Sequence, residues 1–247
     1  MFEGFENRFA VVTGASSGIG LATVRRLLKN GARVLAMSRT MRELDTLQSV
    51  YGERLEWLRG DVTQSADLAM LAERASRIGA VDFVVPNAGI AELGEGLQPA
   101  AFERQWAVNG AGALNTVSAL REQLAKPASV VFIGTFLSQV TFPGLAAYIA
   151  SKTALKAHAR TLAVELASAG IRINIVSPGP TATAIWSTLG LQQDQLSAVA
   201  EQVNQRLLSG QFLEPAAIAD AIMFMLSPAS RGVVGQDLIV DNGYTLR

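Results

Sequence analysis

The chain has 247 residues, of which 49% are hydrophobic and only 17% charged, with 21 basic and 21 acidic side chains. This composition predicts a globular protein with a large core and excludes extensive disorder. Because the charges balance and no basic block occurs, we expect no nucleic-acid partner. The absence of cysteine excludes disulfides and thiol catalysis.

One long uncharged stretch, residues 127–151, exceeds the roughly 18 to 20 residues that a membrane-spanning helix needs. Polar residues and the Pro143-Gly144 pair interrupt it, which favours a buried strand, a loop and the start of a helix. The N-terminal sequence MFEGFENRFA has acidic residues where a signal peptide would carry basic ones. We therefore expect a soluble, cytoplasmic protein without a membrane segment.

Short apolar runs alternate with helical patterns along the chain. The runs predict about seven strands: RFAVVTG, ARVLAMS, LEWLRGD, VDFVVPNAG, SVVFIG, IRINIVSPG and QDLIV. Helices are predicted between them: GLATVRRLLKNG, TMRELDTLQSVYG, one from about Ser65, a long one from about Pro99, one from Tyr148 to Ala169, and helices across 191–226. Strands that are separated by helices and buried on both faces imply a parallel sheet. We predict an α/β fold, a single domain over residues 1–247 with a doubly wound (Rossmann) sheet and helices on both faces.

A glycine-rich segment, TGASSGIG from Thr13 to Gly20, joins the first strand to the first helix. Glycines there allow a sharp turn and close approach of a pyrophosphate to the helix N-terminus. A tight strand-to-helix connection is the simpler interpretation, but the position after the first strand of an alternating pattern favours cofactor binding.

Further motifs follow in a consistent order: Asp61-Val62, NAG at 87–89, Asn109, YIASK at 148–152 and SPGPTAT at 177–183. Together with TGASSGIG, they make the chain resemble the short-chain dehydrogenases/reductases over essentially its whole length. The resemblance implies a nicotinamide cofactor and hydride transfer to a carbonyl or from an alcohol. Pro86 stands where an asparagine is frequent in the family.

The resemblance also implies site residues. Glycines 14, 18 and 20 would hold the pyrophosphate, residues 61–62 the adenine, and Pro178, Gly179 and Thr183 the nicotinamide half, while residues 87–89 would line the crevice. The cofactor-binding residues implied are Gly14, Ser16, Ser17, Gly18, Ile19, Gly20, Asp61, Val62, Asn87, Ala88, Gly89, Tyr148, Lys152, Pro178, Gly179, Thr181 and Thr183. No metal site is expected.

Tyr148 and Lys152 lie four residues apart, so on a helix they share a face. An ammonium beside a phenol, together with the charge of the oxidised nicotinamide, is expected to lower the pKa of the phenol. The resemblance implies that Tyr148 is the general acid or base, that Lys152 also binds the ribose of the cofactor, and that Asn109 holds a water. His158, the only histidine, is predicted to be a surface or interface residue.

A polarising hydroxyl completes this set in the family, usually a serine thirteen residues before the tyrosine. That position here is Thr135, whose side chain has the same donor and acceptor as serine. We predict Thr135 for this role and keep Ser138 as the alternative.

The end of the second strand bears on the choice of cofactor. NAD-preferring relatives have an acid where this chain has Ser38, followed by Arg39, whose guanidinium suits a 2′-phosphate. NADP(H) is therefore predicted, with NAD(H) as the alternative, although Ser17 in the glycine-rich loop is not basic.

A lid over about residues 184–211 is expected to cover a largely apolar substrate pocket. Its residues would be Ile185, Trp186, Leu189 and Leu191, with Phe136, Leu137 and Phe142 opposite. No Arg or Lys lies between Arg172 and Arg206, which disfavours a carboxylate or phosphate clamp from the lid.

The leading hypothesis is a carbonyl reductase or alcohol dehydrogenase acting on a small molecule. The alternatives are a nonenzymatic nucleotide-binding regulator and, within the family, an enoyl reductase or a sugar epimerase. The Tyr148–Lys152 interval disfavours the enoyl reductases, and the short C-terminal part disfavours the epimerases. The resemblance implies a homo-oligomer, a tetramer or a dimer.

Overall fold

The computed structural model describes residues 2–247. Its centre is a seven-stranded sheet in the order β3-β2-β1-β4-β5-β6-β7, and every neighbouring pair is parallel. The strands are β1 Phe9–Thr13, β2 Arg33–Ser38, β3 Leu55–Arg59, β4 Val81–Pro86, β5 Leu124–Ile133, β6 Ile171–Pro178 and β7 Asp237–Val240. The predicted fold class is confirmed.

Helices connect the strands and cover both faces of the sheet. They are α1 Gly18–Lys29, α2 Leu44–Tyr51, α3 Ser65–Ile78, α4 Pro99–Trp106, α5 Ala113–Ala119, α6 Ala146–Glu165, α7 Gln193–Arg206 and α8 Pro215–Leu226. Ala10 and Val12 of β1 pack on the side of α1 and α8. Val11 packs on the other side, with α3, α5 and α6. This alternation is why the strands read as continuous apolar runs.

The long helix predicted from Pro99 is not a continuous α-helix. A π-helical segment, Ala107–Gly112, separates α4 from α5. Glycines suit this segment because a Cβ at Gly110 would lie 2.1 Å from the Trp106 ring and one at Gly112 would lie 2.6 Å from Val62. Side chains are therefore excluded where the segment packs, and a π-helical turn inside a longer helix is frequent at functional sites.

Two further predicted boundaries are wrong. The helix predicted from Thr40 begins at Leu44, because Arg42 has a left-handed backbone with φ of 45°. Strand β5 begins at Leu124, earlier than the predicted start at Ser129. Between its pairings of Leu124 with Val81 and Ser129 with Phe83, the register shifts, so Pro127 lies in an irregular part of the ladder.

Helices that could span a membrane are absent from residues 2–247.

Arg172 of β6 caps the C-terminal end of α8. Its guanidinium donates hydrogen bonds of 3.1–3.4 Å to five carbonyl oxygens, those of Met225, Leu226, Ser227, Ser230 and Val233. The last carbonyls of a helix lack intrahelical partners, so Arg172 satisfies this end and joins it to the sheet.

Replacing Arg172 with leucine should lower the free energy of unfolding by about 3 kcal/mol, because several carbonyls lose a charged donor. Urea unfolding followed by circular dichroism measures the change. The control is Arg231→Leu, which alters an exposed arginine close by. Equal stability of the two variants would contradict this role for Arg172.

Candidate active site

A cavity of about 500 Å³ opens at the carboxyl ends of the strands. It spans the point where strand order reverses between β1 and β4, the usual ligand position in open α/β sheets. The predicted residues that line it are Gly14, Ser16, Ser17, Gly18, Ile19, Ser38, Arg39, Asp61, Val62, Asn87, Ala88, Gly89, Thr135, Tyr148, Lys152, Pro178, Gly179, Thr181 and Thr183. Gly20 and Asn109 lie behind this lining.

The glycine-rich loop has the geometry of a phosphate cradle. Gly14 and Gly18 have φ of +62° and +53°, values that favour glycine. Ser17 precedes α1 without capping it, and the first turn of α1 contains no acid. The helix N-terminus therefore offers amide donors and a positive dipole end to an anion, which fits the pyrophosphate of a dinucleotide.

The segment after β4 fixes the conformation of this loop by hydrogen bonds. Asn87 Nδ2 donates to the carbonyl oxygens of Thr13 and Gly14, both at 3.1 Å. The Ala88 amide donates to Thr13 Oγ1 at 3.3 Å. The Nδ2 donor of Asn87 is thus used to shape the loop, and a ligand would contact the remaining atoms of this residue.

At the end of β2, the Ser38 hydroxyl is already engaged. It donates to the Thr40 carbonyl at 2.8 Å and accepts from Trp57 Nε1 at 3.0 Å. Arg39 and Arg42 are exposed and both line the cavity. Neither forms a salt bridge with another residue of the range 2–247. The adjacent acid, Glu43, is paired with Arg25 at 2.6 Å.

Tyr148 and Thr135 meet inside the cavity wall, with exposed fractions of 9% and 4%. Burial raises the pKa of Tyr148, and a hydrogen-bonding contact with the Thr135 side chain acts in the opposite direction. Burial, not the Lys152 charge, sets the direction of this pKa shift, contrary to the expectation from the sequence. Ser138 does not line the cavity, and its buried Oγ has no hydrogen-bond partner among residues 2–247.

Lys152 reaches from α6 to the end of β5. Its Nζ donates to the Ile133 carbonyl at 2.9 Å, two residues before Thr135 in the chain. Burial lowers the pKa of Lys152 to about 8, so the ammonium is mostly charged at neutral pH. One contact therefore joins the helix with Tyr148 to the strand end with Thr135.

Asn109, in the π-helical segment, is fully buried. Its Oδ1 accepts from the Ile90 amide at 2.9 Å, and its Nδ2 donates to the Ile90 carbonyl and to Ser151 Oγ. These contacts join the loop after β4 to α6. They make Asn109 a positioning residue in this structure, and its predicted role in holding a water stays a prediction.

The far end of the cavity is mainly apolar. Of the side chains expected there, Phe136, Leu137, Phe142, Ile185, Trp186 and Leu189 line it, whereas Leu191 does not. Segment 184–211 comprises a 3₁₀ helix, Ala184–Leu189, and α7. Thr188 Oγ1 donates to the Ala91 carbonyl at 2.7 Å and accepts from its amide at 3.2 Å, which joins this segment to the loop after β4.

Several polar residues of the cavity lining carry no signal in the sequence, and Arg42 and Tyr244 are two of them. Arg42 lies within the pattern interpreted as a helix, and no motif marks its left-handed backbone. Tyr244 comes from beyond the last strand, and only the tertiary fold brings it to the site.

Comparisons with known proteins agree with this geometry. The family model described as Enoyl-(Acyl carrier protein) reductase matches residues 14–245. The chain is 37% identical to cis-4-hydroxycyclohexanecarboxylate dehydrogenase of Sinomonas cyclohexanicum, over 99% of each chain.

The chain belongs to the short-chain dehydrogenase/reductase family. It is 30% identical to carbonyl reductase [NADPH] 2 of Sus scrofa over 97% of each chain. A crystal structure of a family member from Brucella melitensis, described as a glucose/ribitol dehydrogenase, superposes with a TM-score of 0.89, at 29% identity and 98% coverage of each chain. The protein is therefore an oxidoreductase of a family that uses NAD(P).

Gly20 provides a test of the cradle. A Cβ there would lie 2.3 Å from the Gly14 carbonyl oxygen and 2.5 Å from Asn87 Nδ2. Gly20→Ala should therefore weaken NADPH binding at least about 10-fold, although alanine is the better helix former by about 1 kcal/mol. Fluorescence titration with NADPH measures the affinity.

The matched control is Gly232→Ala, since a Cβ at Gly232 meets no atom within 4 Å. Unchanged affinity in Gly20→Ala would show that the close packing of this loop does not shape the binding site.

Proposed function

We propose that this enzyme reduces the carbonyl of a largely apolar small molecule with NADPH, and oxidises the corresponding alcohol in reverse. The observation that carries the proposal is the meeting of Tyr148 and Thr135 in the cavity wall, with Lys152 bonded to the strand end beside them. A carbonyl placed against the two hydroxyls receives two hydrogen bonds, which stabilise the developing alkoxide.

The state of Tyr148 supports the reductive direction. Because burial raises the pKa of Tyr148, the folded chain holds the neutral phenol at neutral pH. A neutral phenol is the form that a general acid needs, and it can pass its proton to the oxygen that gains charge. Thr135 keeps its hydroxyl beside the same oxygen and polarises the carbonyl.

Lys152 has two parts in this proposal. Below a pH of about 8 its ammonium is charged, and a charge one helical turn from Tyr148 favours the phenolate left after proton transfer. Its remaining N–H donors can bind the nicotinamide ribose. When bound, the cofactor supplies the hydride. Asn109 keeps the loop after β4 and α6 in the arrangement that places Lys152.

Arg39 and Arg42 support NADP(H) over NAD(H). Two guanidinium groups line the end of the cavity beside β2 and form no salt bridge with any residue from 2 to 247, and no acid ends that strand. Arginine binds phosphate through charge-assisted hydrogen bonds. Ser38 would leave space for the 2′-phosphate. Its hydroxyl is not free to bind the phosphate, because it is hydrogen-bonded to Thr40 and Trp57.

The substrate class follows from the apolar far end of the cavity and from the names of the relatives. One relative acts on a hydroxycyclohexanecarboxylate, and another is named a carbonyl reductase. We therefore propose cyclic ketones as substrates and choose cyclohexanone and 4-oxocyclohexanecarboxylate as test compounds.

The alternatives have less support. Relatives named as dehydrogenases and reductases match nearly the whole chain, which does not favour a nonenzymatic regulator. The description of the matching family model names an enoyl reductase, but the Tyr148–Lys152 interval remains the argument against that reaction.

We also propose that segment 184–211 acts as a lid within a single domain. The protein is proposed to assemble as a homo-tetramer or dimer and to be located in the cytoplasm.

Tyr148→Phe removes the transferable proton and little volume. We expect kcat for cyclohexanone to fall by about 10²- to 10⁴-fold, the range for losing a general acid, while NADPH still binds. Steady-state kinetics and a fluorescence titration give the two values. Retention of more than about a tenth of the wild-type kcat would refute the acid–base assignment.

Thr135→Val keeps the side-chain shape and deletes the hydroxyl. It should lower kcat/KM about 100-fold, the scale for losing one donor to an oxyanion, whereas Thr135→Ser should remain active. Ser138→Ala is the matched control, because it removes a nearby hydroxyl that does not line the cavity. A severe loss in Ser138→Ala with little change in Thr135→Val would reverse the assignment.

The ratio of kcat/KM with NADPH to that with NADH should exceed one in the wild type. Arg39→Gln and Arg42→Gln should each lower it about 10-fold, because each removes a charged donor to the 2′-phosphate. Arg59→Gln, at the exposed end of β3 and outside the cavity lining, is the control. A wild-type preference for NADH would contradict the NADP(H) proposal.

A further inference from the structure

Tyr244 is held at the cavity by the turn that follows β7. Asp241 fixes this turn: its Oδ1 accepts from the Gly243 amide at 3.0 Å, and its Oδ2 accepts from the Thr245 amide and hydroxyl at 2.9 and 2.7 Å. Gly179 packs directly against it, since a Cβ at Gly179 would lie 2.4 Å from the Asp241 Cα. The turn is therefore rigidly placed against the loop proposed to hold the nicotinamide half.

The ring of Tyr244 lies between two side chains. Phe136, the residue after Thr135, meets it edge-on with centroids 4.9 Å apart and an interplanar angle of 81°. The guanidinium of Arg206, at the end of α7, lies 4.6 Å from the ring centroid. The position of this ring is thus fixed from the catalytic side and from the lid side.

The hydroxyl of Tyr244, unlike its ring, has no partner in the described part of the fold. Tyr244 is only 6% exposed and lines the cavity. Within residues 2–247 its hydroxyl makes no hydrogen bond, and it is not among the fully buried unpaired polar atoms, so it is accessible to a partner from outside the fold. The neighbouring lining side chains, Phe136, Leu189 and Val203, are apolar, so this hydroxyl is an unpaired polar group at the otherwise apolar end of the cavity lining.

We propose that Tyr244 donates a hydrogen bond to a second polar group of the substrate, separate from the reacting carbonyl. The favoured group is a carboxylate, because a phenolic O–H donates its strongest hydrogen bonds to an ionised acceptor. This inference rests on the proposed function and deepens it: the substrate is a ketone that also carries an anionic acceptor. If Tyr244 serves packing alone, its hydroxyl has no effect on substrate choice.

The test compares 4-oxocyclohexanecarboxylate with cyclohexanone, which share the ring and the carbonyl. In Tyr244→Phe the ratio of kcat/KM for the first to that for the second should fall about 10- to 50-fold, mainly through KM, as a charged hydrogen bond is lost. The control is Tyr51→Phe, which deletes a hydroxyl from another tyrosine that an arginine covers, at 5.1 Å, outside the cavity. Equal ratios in wild type and Tyr244→Phe would overturn the proposal.

Binding without turnover separates this inference from the proposed function. Cyclohexanecarboxylate has the acceptor group but no carbonyl, and calorimetry with the NADP⁺-loaded enzyme measures its affinity. The wild type should bind it about 10-fold more tightly than Tyr244→Phe does. If this difference is found and no ketone is reduced, the proposed reaction fails and the Tyr244 contact stands. If ketones are reduced and the difference is missing, the Tyr244 contact is refuted.

Discussion

The buried hydrogen bond from Lys152 Nζ to the Ile133 carbonyl is the contact on which the site depends most. An ammonium loses hydration when buried, and the lowering of the Lys152 pKa to about 8 reflects that loss. Ile133 ends β5, and Lys152 lies one turn beyond Tyr148 on α6. The contact therefore fixes the helix against the strand end and brings Tyr148 to Thr135.

Two amide side chains, one part-buried and one buried, extend this arrangement to the cavity walls. Asn87 holds the glycine-rich loop through the carbonyls of Thr13 and Gly14, and Asn109 joins Ile90 to Ser151. Both residues belong to the segments that follow β4, the strand at the point where the sheet order reverses. The middle of the sheet thus supports both halves of the site, so the fold itself positions the hydroxyls of Thr135 and Tyr148.

Most of the fold could be predicted because each strand is a run of apolar residues and each helix a periodic pattern, and both are local signals. The parts of the site that could be predicted are likewise motifs in sequence, such as Gly14 to Gly20 and Tyr148 to Lys152. The features of the site that the sequence does not show have tertiary causes. Asn109 lies in a π-helical turn shaped by the packing of Gly110 and Gly112 against Trp106 and Val62. Ser38 loses its free hydroxyl to Trp57, a residue of a neighbouring strand. Tyr244 reaches the cavity only because the turn at Asp241 packs against Gly179.

In the proposed reaction, hydride goes to a carbonyl carbon while Tyr148 protonates the oxygen. The most direct measurement uses 2-cyclohexenone with NADPH deuterated at the nicotinamide C4, in separate samples for each face, and locates deuterium in the product by NMR. A carbonyl and an alkene compete in this substrate. Carbonyl reduction should give the allylic alcohol with deuterium on the carbinol carbon, from one of the two cofactor samples only. Deuterium at C3 of cyclohexanone would instead show an enoyl reduction and contradict the proposed carbonyl chemistry.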